Sequence, residues 1–300
     1  MKKKTYLFAL MAMVLTLGSC SDNENGIGGE TSKYITVSTS IGNMTRVATD
    51  AKGGQTFEEG DEISVYAWTG DATVAPETRE RVVNNAINKL TNGSWVSTPQ
   101  MLWKNNREKH YFIGVYPTAA ISDLSAGEYT FDANKQTESD LLVAVNPDGL
   151  SYSADAQQTV PLTFTHVMAK LAVNLTYKNQ WGGIPTVEKV VVGNAAKEAT
   201  INYLTKVVTS STIAKEDFSL PEITENTKYV SVIIPQEEVT QLTIVIGGKN
   251  FVYDNGTPFK LESGKITTVN LEVGRDEIKL GDVKITNWED GSTFSGEALN

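Results

Sequence analysis

The chain has 300 residues, with 26 Lys and Arg against 36 Asp and Glu, a formal net charge of −10 and one cysteine. A single thiol rules out an intrachain disulfide, so an exported fold must rest on its core alone, and the acidic balance, with no basic stripe interleaved with aromatics, argues against a nucleic-acid partner. Two histidines, neither in an HExxH, HxH or Cys-rich setting, leave no case for zinc and few groups for catalysis.

Met1 to Ser19 combines three lysines, a Leu/Met/Ala/Val run and small residues at its end, the pattern of a secretory signal peptide. No later stretch supplies the roughly 20 apolar residues that cross a bilayer. Leu17-Gly18-Ser19-Cys20 resembles the bacterial lipobox, whose cysteine is acylated and becomes the mature N-terminus. That resemblance makes Cys20 the lipidation site and predicts a tethered protein that does not span the membrane. Ser21 to Glu30 is a Gly/Asn/acidic tether with little to bury.

Ile35, Val37, Thr39 and Ile41 share one side of a predicted isolated strand. Gly42 to Arg46 breaks it, and the chain stays polar to Gly54. The Gly60-Asp61 turn feeds Ile63, Val65 and Ala67 on one face and Tyr66 and Trp68 on the other. Val82 to Leu90 fits either a helix face or a strand. His110 to Tyr116 reads as a central strand stopped by Pro117. Leu141 to Val145 reads as a short strand, followed by a turn at Asn146-Pro147-Asp148-Gly149. Val160, Leu162 and Phe164 alternate, as do Val167, Ala169, Leu171, Val173 and Leu175 beyond Thr165-His166. Because strands usually hold three to ten residues, two strands meeting near His166 are expected, with a domain boundary close by.

Further strands are expected at Val187 to Val192, Ile201 to Val208, Tyr229 to Ile234, Leu242 to Ile246, Phe251 to Tyr253 and Ile266 to Val273. Val283 and Ile285 alternate ahead of Trp288. Many short strands punctuated by Gly, Pro and Asn point to β-sandwiches.

The candidate chemistry is sparse. His110 and His166 read as strand-edge or core histidines. Glu58-Glu59, Asp61-Glu62 and Glu237-Glu238 fall at turns, and adjacent strand residues face opposite ways, so they do not make a glycosidase pair. Asp132, Asn134, Gln136 and Asp140 lack the central glycine and flanking helices of a calcium loop. The five tryptophans are scattered as core and turn residues are, more than as a sugar-stacking platform. No catalytic, cofactor or metal residue is assigned.

Several stretches carry a resemblance: Phe57-Glu-Glu-Gly-Asp-Glu-Ile-Ser-Val-Tyr66, Tyr111-Phe-Ile-Gly-Val-Tyr-Pro117, Ser139-Asp-Leu-Leu142, Ile233-Ile-Pro235 and Val283-Lys-Ile-Thr-Asn-Trp288. The strongest is Phe164-Thr-His-Val-Met-Ala-Lys-Leu171, which fits the pattern Phe-x-His-x-x-Ala-Lys-Leu. Together they resemble the fimbrillin superfamily, the Mfa-like and FimA-like type V pilins of Bacteroidota, and the acidic segment after Cys20 looks like the surface-export signals of lipoproteins from that phylum. The resemblance implies an all-β protein with two transthyretin-like Greek-key β-sandwich domains in tandem. Its division would be a signal peptide over 1–19, a tether and plug strand over 20–46, and domains over 47–164 and 165–300.

The implied function is that of a structural pilin, shaft, tip or accessory, with no enzyme activity and no cofactor. An outer-membrane lipoprotein precursor, held by its lipid, is cut by an arginine-specific surface protease and joins a cell-surface fimbrium that supports adhesion to a host protein or glycan receptor. Arg46 fits the cleavage site, with Val47 as the new N-terminus. Loss of the plug residues Ile35, Val37, Thr39 and Ile41 would leave an open strand slot, a template for a strand of another pilin subunit. The donor would be the segment holding Val283, Ile285 and Trp288, or the freed segment near Val47. The polar tail beyond Trp288 suits a tip or accessory subunit, which accepts a strand without giving one. The alternative is a surface glycan-binding lipoprotein that keeps its anchor.

Overall fold

The computed structural model describes residues 33–42, 56–136, 138–153 and 158–288. They form β1 (Thr36–Ile41), β2 (Glu62–Thr69), β3 (Val83–Thr91), β4 (Ser94–Thr98), β5 (His110–Tyr116), β6 (Gly127–Thr130), β7 (Leu142–Leu150) and β8 (Thr159–His166). The chain continues with β9 (Ala169–Tyr177), β10 (Val187–Ala196), β11 (Glu198–Asn202), β12 (Val207–Ser210), β13 (Lys215–Ser219) and β14 (Glu222–Thr224). It ends with β15 (Lys228–Ile233), β16 (Gln236–Ile246), β17 (Lys249–Leu261), β18 (Lys265–Val273) and β19 (Ile278–Asn287).

Among the described residues the fold is all-β, in four sheets. A seven-stranded sheet runs β1-β8-β7-β5-β2-β3-β4, a five-stranded one β14-β15-β9-β18-β19, a four-stranded one β13-β10-β16-β17 and a three-stranded one β12-β11-β6. The last joins the two halves of the chain, since Gly127 to Thr130 of β6 pairs with Glu198 to Ile201 of β11.

The large sheet curls until its edges meet. Its concave face buries Ile63, Val65, Ala67, Phe112, Ala144, Val160, Leu162 and Phe164 with Ile35 and Val37. Gly114 makes this possible, because a Cβ there would lie 2.6 Å from Phe164 Cζ, so the Phe164 ring packs onto bare backbone. The opposite face of the same strands, with Tyr66, Trp68, Ile113, Val115 and Val143, joins the core of the second half. Strands β2 and β5 are therefore buried on both sides, which explains their continuous apolar runs.

Several local expectations are resolved. Residues 83–91 are a strand, and β3 pairs with both β2 and β4. Two strands do meet near His166, and the inward set moves from even numbers in β8 to odd numbers in β9 as the chain leaves one sheet for another. The expected turn at Asn146 to Gly149 is instead a bulge inside β7: Phe112 pairs with Asn146 and His110 with Leu150, and Asn146 Oδ1 accepts the Gly149 N–H at 2.9 Å. The expected single strand over Ile201 to Val208 is a hairpin. Asn202 Oδ1 accepts the N–H groups of Leu204 and Thr205, turning the chain between β11 and β12.

Candidate functional site

The strand β1 sits in a slot. On one side it pairs in parallel with β8, in register from Thr36 opposite Thr159 to Ile41 opposite Phe164. Gly42 N–H closes that ladder on Phe164 O at 2.7 Å. On the other side, just before β1, Ile35 N–H donates to Met101 O at 2.9 Å and Trp103 N–H donates to Lys33 O at 3.2 Å. The chain before β1 thus bridges to the segment after β4 and nearly closes the sheet into a barrel, with Tyr34 opposite Leu102.

The side chains follow the alternation. Ile35 and Val37 are 3% and 6% exposed, and Ile41 packs partly onto the same core. Thr39 is half-buried, and its Oγ1 accepts Trp95 Nε1–H at 2.9 Å. The outward set Thr36, Ser38 and Ser40 is polar, with Thr36 and Ser40 hydrogen-bonded to Thr159 and Thr163 on β8. Ile35, Val37, Thr39 and Ile41, the four residues singled out from the sequence, face the barrel interior or its seam.

Beyond the Tyr34–Leu102 bridge the two edges part. Between Val37 to Ile41 and the hairpin at Gly93 to Trp95 lies an open groove of about 580 Å³, roofed by Phe57. Phe57 makes edge-to-face contacts with Trp95, Tyr116 and Phe164, ring centroids 5.1 to 5.3 Å apart. Alternation along β1 turns the backbone N–H and C=O groups of Val37, Thr39 and Ile41 toward this groove, the side on which Ile35 finds Met101. No described strand pairs with β1 there. The aromatic roof was not recognised from sequence; Trp95 shows no local signal that would assign it.

The candidate C-terminal donor is already paired. β19 lies antiparallel to β18 from Ile278 opposite Val273 to Asn287 opposite Lys265, at one edge of its sheet. Val283 and Ile285 are 37% and 40% exposed, whereas Trp288 is buried. The Trp288 indole stacks on His166 at 4.2 Å between centroids and 9° between planes. Lys170 Nζ stands 4.2 Å from the indole centroid, over the ring. His166 Nδ1 is 2.8 Å from Asp140 Oδ1.

The remaining sequence candidates are structural. His110 is fully buried: Nε2 accepts Lys104 N–H at 3.0 Å, Nδ1 lies 3.2 Å from Glu108 O, and Trp103 meets the ring edge-on. Burial holds its pKa below the ordinary imidazole value, partly offset by the Glu108 carbonyl. Gln136 spends its Oε1 on Val232 N–H at 2.7 Å and Ser231 Oγ–H at 3.2 Å, pinning its loop to β15. Glu59 caps Asn92 N–H, Glu62 pairs with Lys89, and Asp61 accepts Glu58 N–H, so these carboxylates serve turns and edges.

Trp68 and Trp103 are buried, and Trp95 and Trp181 are half-buried with their Nε1–H groups bonded to Thr39 Oγ1 and Val273 O. Every tryptophan among the described residues is buried or half-buried. A second groove, about 840 Å³, is bordered by Arg79, Arg81, Lys104, Glu80 and Glu108. Its charges are spent locally: Arg81 Nη1 and Nη2 donate to Ile121 O and Ser122 O at 2.6 and 2.7 Å, and Arg79 and Lys104 pair with Glu77 and Glu108. Cys20, Arg46 and Val47 lie outside the described residues.

Comparison with known proteins gives a consistent result. The family model described as Fimbrillin-like matches residues 45–288. A candidate fimbrium subunit of Bacteroides uniformis, Fim1C, is 27% identical over 215 residues, covering 68% of this chain and 66% of that protein. The match thus spans just under two thirds of the curated relative. A candidate cell adhesion protein of Bacteroides uniformis has a similar solved structure, TM-score 0.64 at 19% identity, covering 86% of this chain and 100% of that one. One from Bacteroides ovatus gives 0.64 at 18% identity, covering 85% and 98%. At these identities the structures establish likeness of fold.

Proposed function

The chain belongs to the Fimbrillin-like family, and from that premise we propose that it is a structural pilin subunit of a cell-surface fimbrium, exported as an outer-membrane lipoprotein and assembled by strand exchange after proteolysis. The reading is of an adhesion-supporting structural protein without enzyme activity. The observation that carries it is β1: an N-terminal strand that lies ahead of the family match at residues 45–288, fills a slot between the two edges of a nearly closed sheet, and precedes Arg46 in the sequence. Cys20 is the lipid handle in this reading, and cutting after Arg46 sends lipid and plug strand away together.

Removing β1 would strip β8 of its ladder from Thr159 to Phe164 on that side and uncover Val160, Leu162 and Phe164, all at most 1% exposed now. An apolar slot flanked by an unpaired edge is a template for another chain's strand. Alternate apolar side chains buried at about 25 cal/mol per Å², plus a row of main-chain bonds, favour a firm and directional joint. Such a head-to-tail contact extends into a filament. For the donor we favour the segment freed near Val47, because Val283, Ile285 and Trp288 would first have to leave β18 and the His166 stack.

We also propose two transthyretin-like Greek-key sandwiches, over 47–164 and 165–300. The passage from β8 to β9 into a different sheet supports a division near there, while the β6–β11 pairing ties the halves together.

The test is to treat the purified precursor with an arginine-specific protease and read the N-terminus by mass spectrometry. The expected product begins at Val47 and forms multimers that resist sodium dodecyl sulfate, and Arg46→Ala blocks both. Trimming at Val47 with no assembly under any condition would remove the shaft role.

A further inference from the structure

β1 breaks its own pattern at one inward place. Its outward residues Thr36, Ser38 and Ser40 carry hydroxyls, as the solvent side of a strand should, and Ile35, Val37 and Ile41 on the inward side are apolar. Thr39 is the exception, a hydroxyl on the side that faces the core and its seam. In register it lies beside Leu162 of β8, as Val37 lies beside Val160 and Ile41 beside Phe164. Leu162 is buried and apolar, so nothing at that place on β8 calls for a polar partner.

The other flank does call for one. Trp95 Nε1–H donates to Thr39 Oγ1 at 2.9 Å, and Thr39 is the one partner of that N–H among the described residues. An indole N–H donates and cannot accept, so the residue that faces it must bring an acceptor. Phe57 lies edge-on to the Trp95 ring, 5.3 Å between centroids, and also contacts Phe164, so the donor is set in an aromatic wall that is held from the side. A valine in place of Thr39 would fill nearly the same space and leave the donor without its oxygen.

The consequence falls on any strand that takes the place of β1. Alternation alone admits every strand with apolar residues at each second position, and a slip of two residues keeps the same face inward. We infer that Trp95 is a specificity residue of the slot: in a strand from another pilin subunit it selects a hydroxyl-bearing residue, Thr or Ser, at the place Thr39 occupies, with apolar residues two positions to either side. The inference rests on the proposed removal of β1 and adds which strands the vacated slot accepts. A strand with Val or Leu at that place, or one seated two residues out of register, forfeits the bond.

Labelled peptides test this. The precursor cut after Arg46 is mixed with a fluorescent peptide of residues 33–42, and its exchange with the resident strand is followed by anisotropy. The Thr39→Val peptide should bind about three- to tenfold more weakly than the unaltered one, and the Thr39→Ser peptide, which keeps the oxygen, should recover part of the loss. In Trp95→Phe protein, which lacks the donor, the difference between the Thr39 and Thr39→Val peptides should vanish. Equal binding of those two peptides by the unaltered protein overturns the selection and leaves strand exchange standing. A preference that persists in Trp95→Phe means that the hydroxyl is read elsewhere and overturns it as well. If Trp95→Phe does not fold, the three peptides on the unaltered protein decide, and a Ser peptide no better than the Val peptide counts against the selection. If no peptide displaces the resident strand, the slot does not exchange, and this inference falls together with the reading it rests on.

Discussion

Trp95 Nε1–H donates to Thr39 Oγ1 across the open side of the barrel, at 2.9 Å. This hydrogen bond ties β1 to the opposite edge of the sheet where the backbone ladder has already ended. A neutral hydrogen bond contributes about 0.5 to 1.5 kcal/mol net. Thr39→Val and Trp95→Phe should each lower the opening free energy of residues 36–41 by roughly that amount. The double variant should cost no more than the larger single one. Native-state hydrogen exchange reads all three, and full additivity would show that the bond does not hold β1.

Gly114 and Phe164 make a second test, of the slot wall. Gly114→Ala places a methyl 2.6 Å from Phe164 Cζ and 3.1 Å from Leu162 Cδ1, both on the strand that carries β1. Overpacking of this kind costs about 1 to 3 kcal/mol. The urea midpoint should fall accordingly. An unchanged midpoint would mean that Phe164 can step aside.

Buried His110 predicts a pH dependence. Its folded pKa lies below the ordinary value of about 6.5 because burial disfavours the charged ring. The unfolded chain therefore takes up the proton first, so this contribution to stability is complete above about pH 6.5 and is lost as pH falls through the lowered folded pKa. His110→Gln removes that titration. Stability of the unaltered protein relative to the variant should decline from pH 7 to pH 5, and parallel curves would contradict it.

Gln136 joins the first half of the chain to β15 through one oxygen with two donors. Gln136→Ala leaves the Val232 N–H without its partner, at a cost of about 1 to 3 kcal/mol. Calorimetry should show a lower melting temperature. Gln136→Glu, which keeps an acceptor there, should recover part of it.

The sequence by itself determined the all-β character, the inward face of β1 and the break at His166, because alternation of apolar side chains is a local property that each strand carries alone. It also determined the lipobox-like Cys20 and the motif from Phe164 to Leu171, which contains both His166 and Lys170, the two residues that hold Trp288. It left open which strand lies beside which. Thr36 and Thr159 are 123 residues apart, and nothing in either segment names the other. Only the tertiary structure decided that β1 runs parallel to β8, that β6 crosses to β11 in the other half, and that Trp288 is buried against the end of β8. Partner choice across such separations is set by how whole faces close around a shared core, a cost and a gain that no short window of sequence contains.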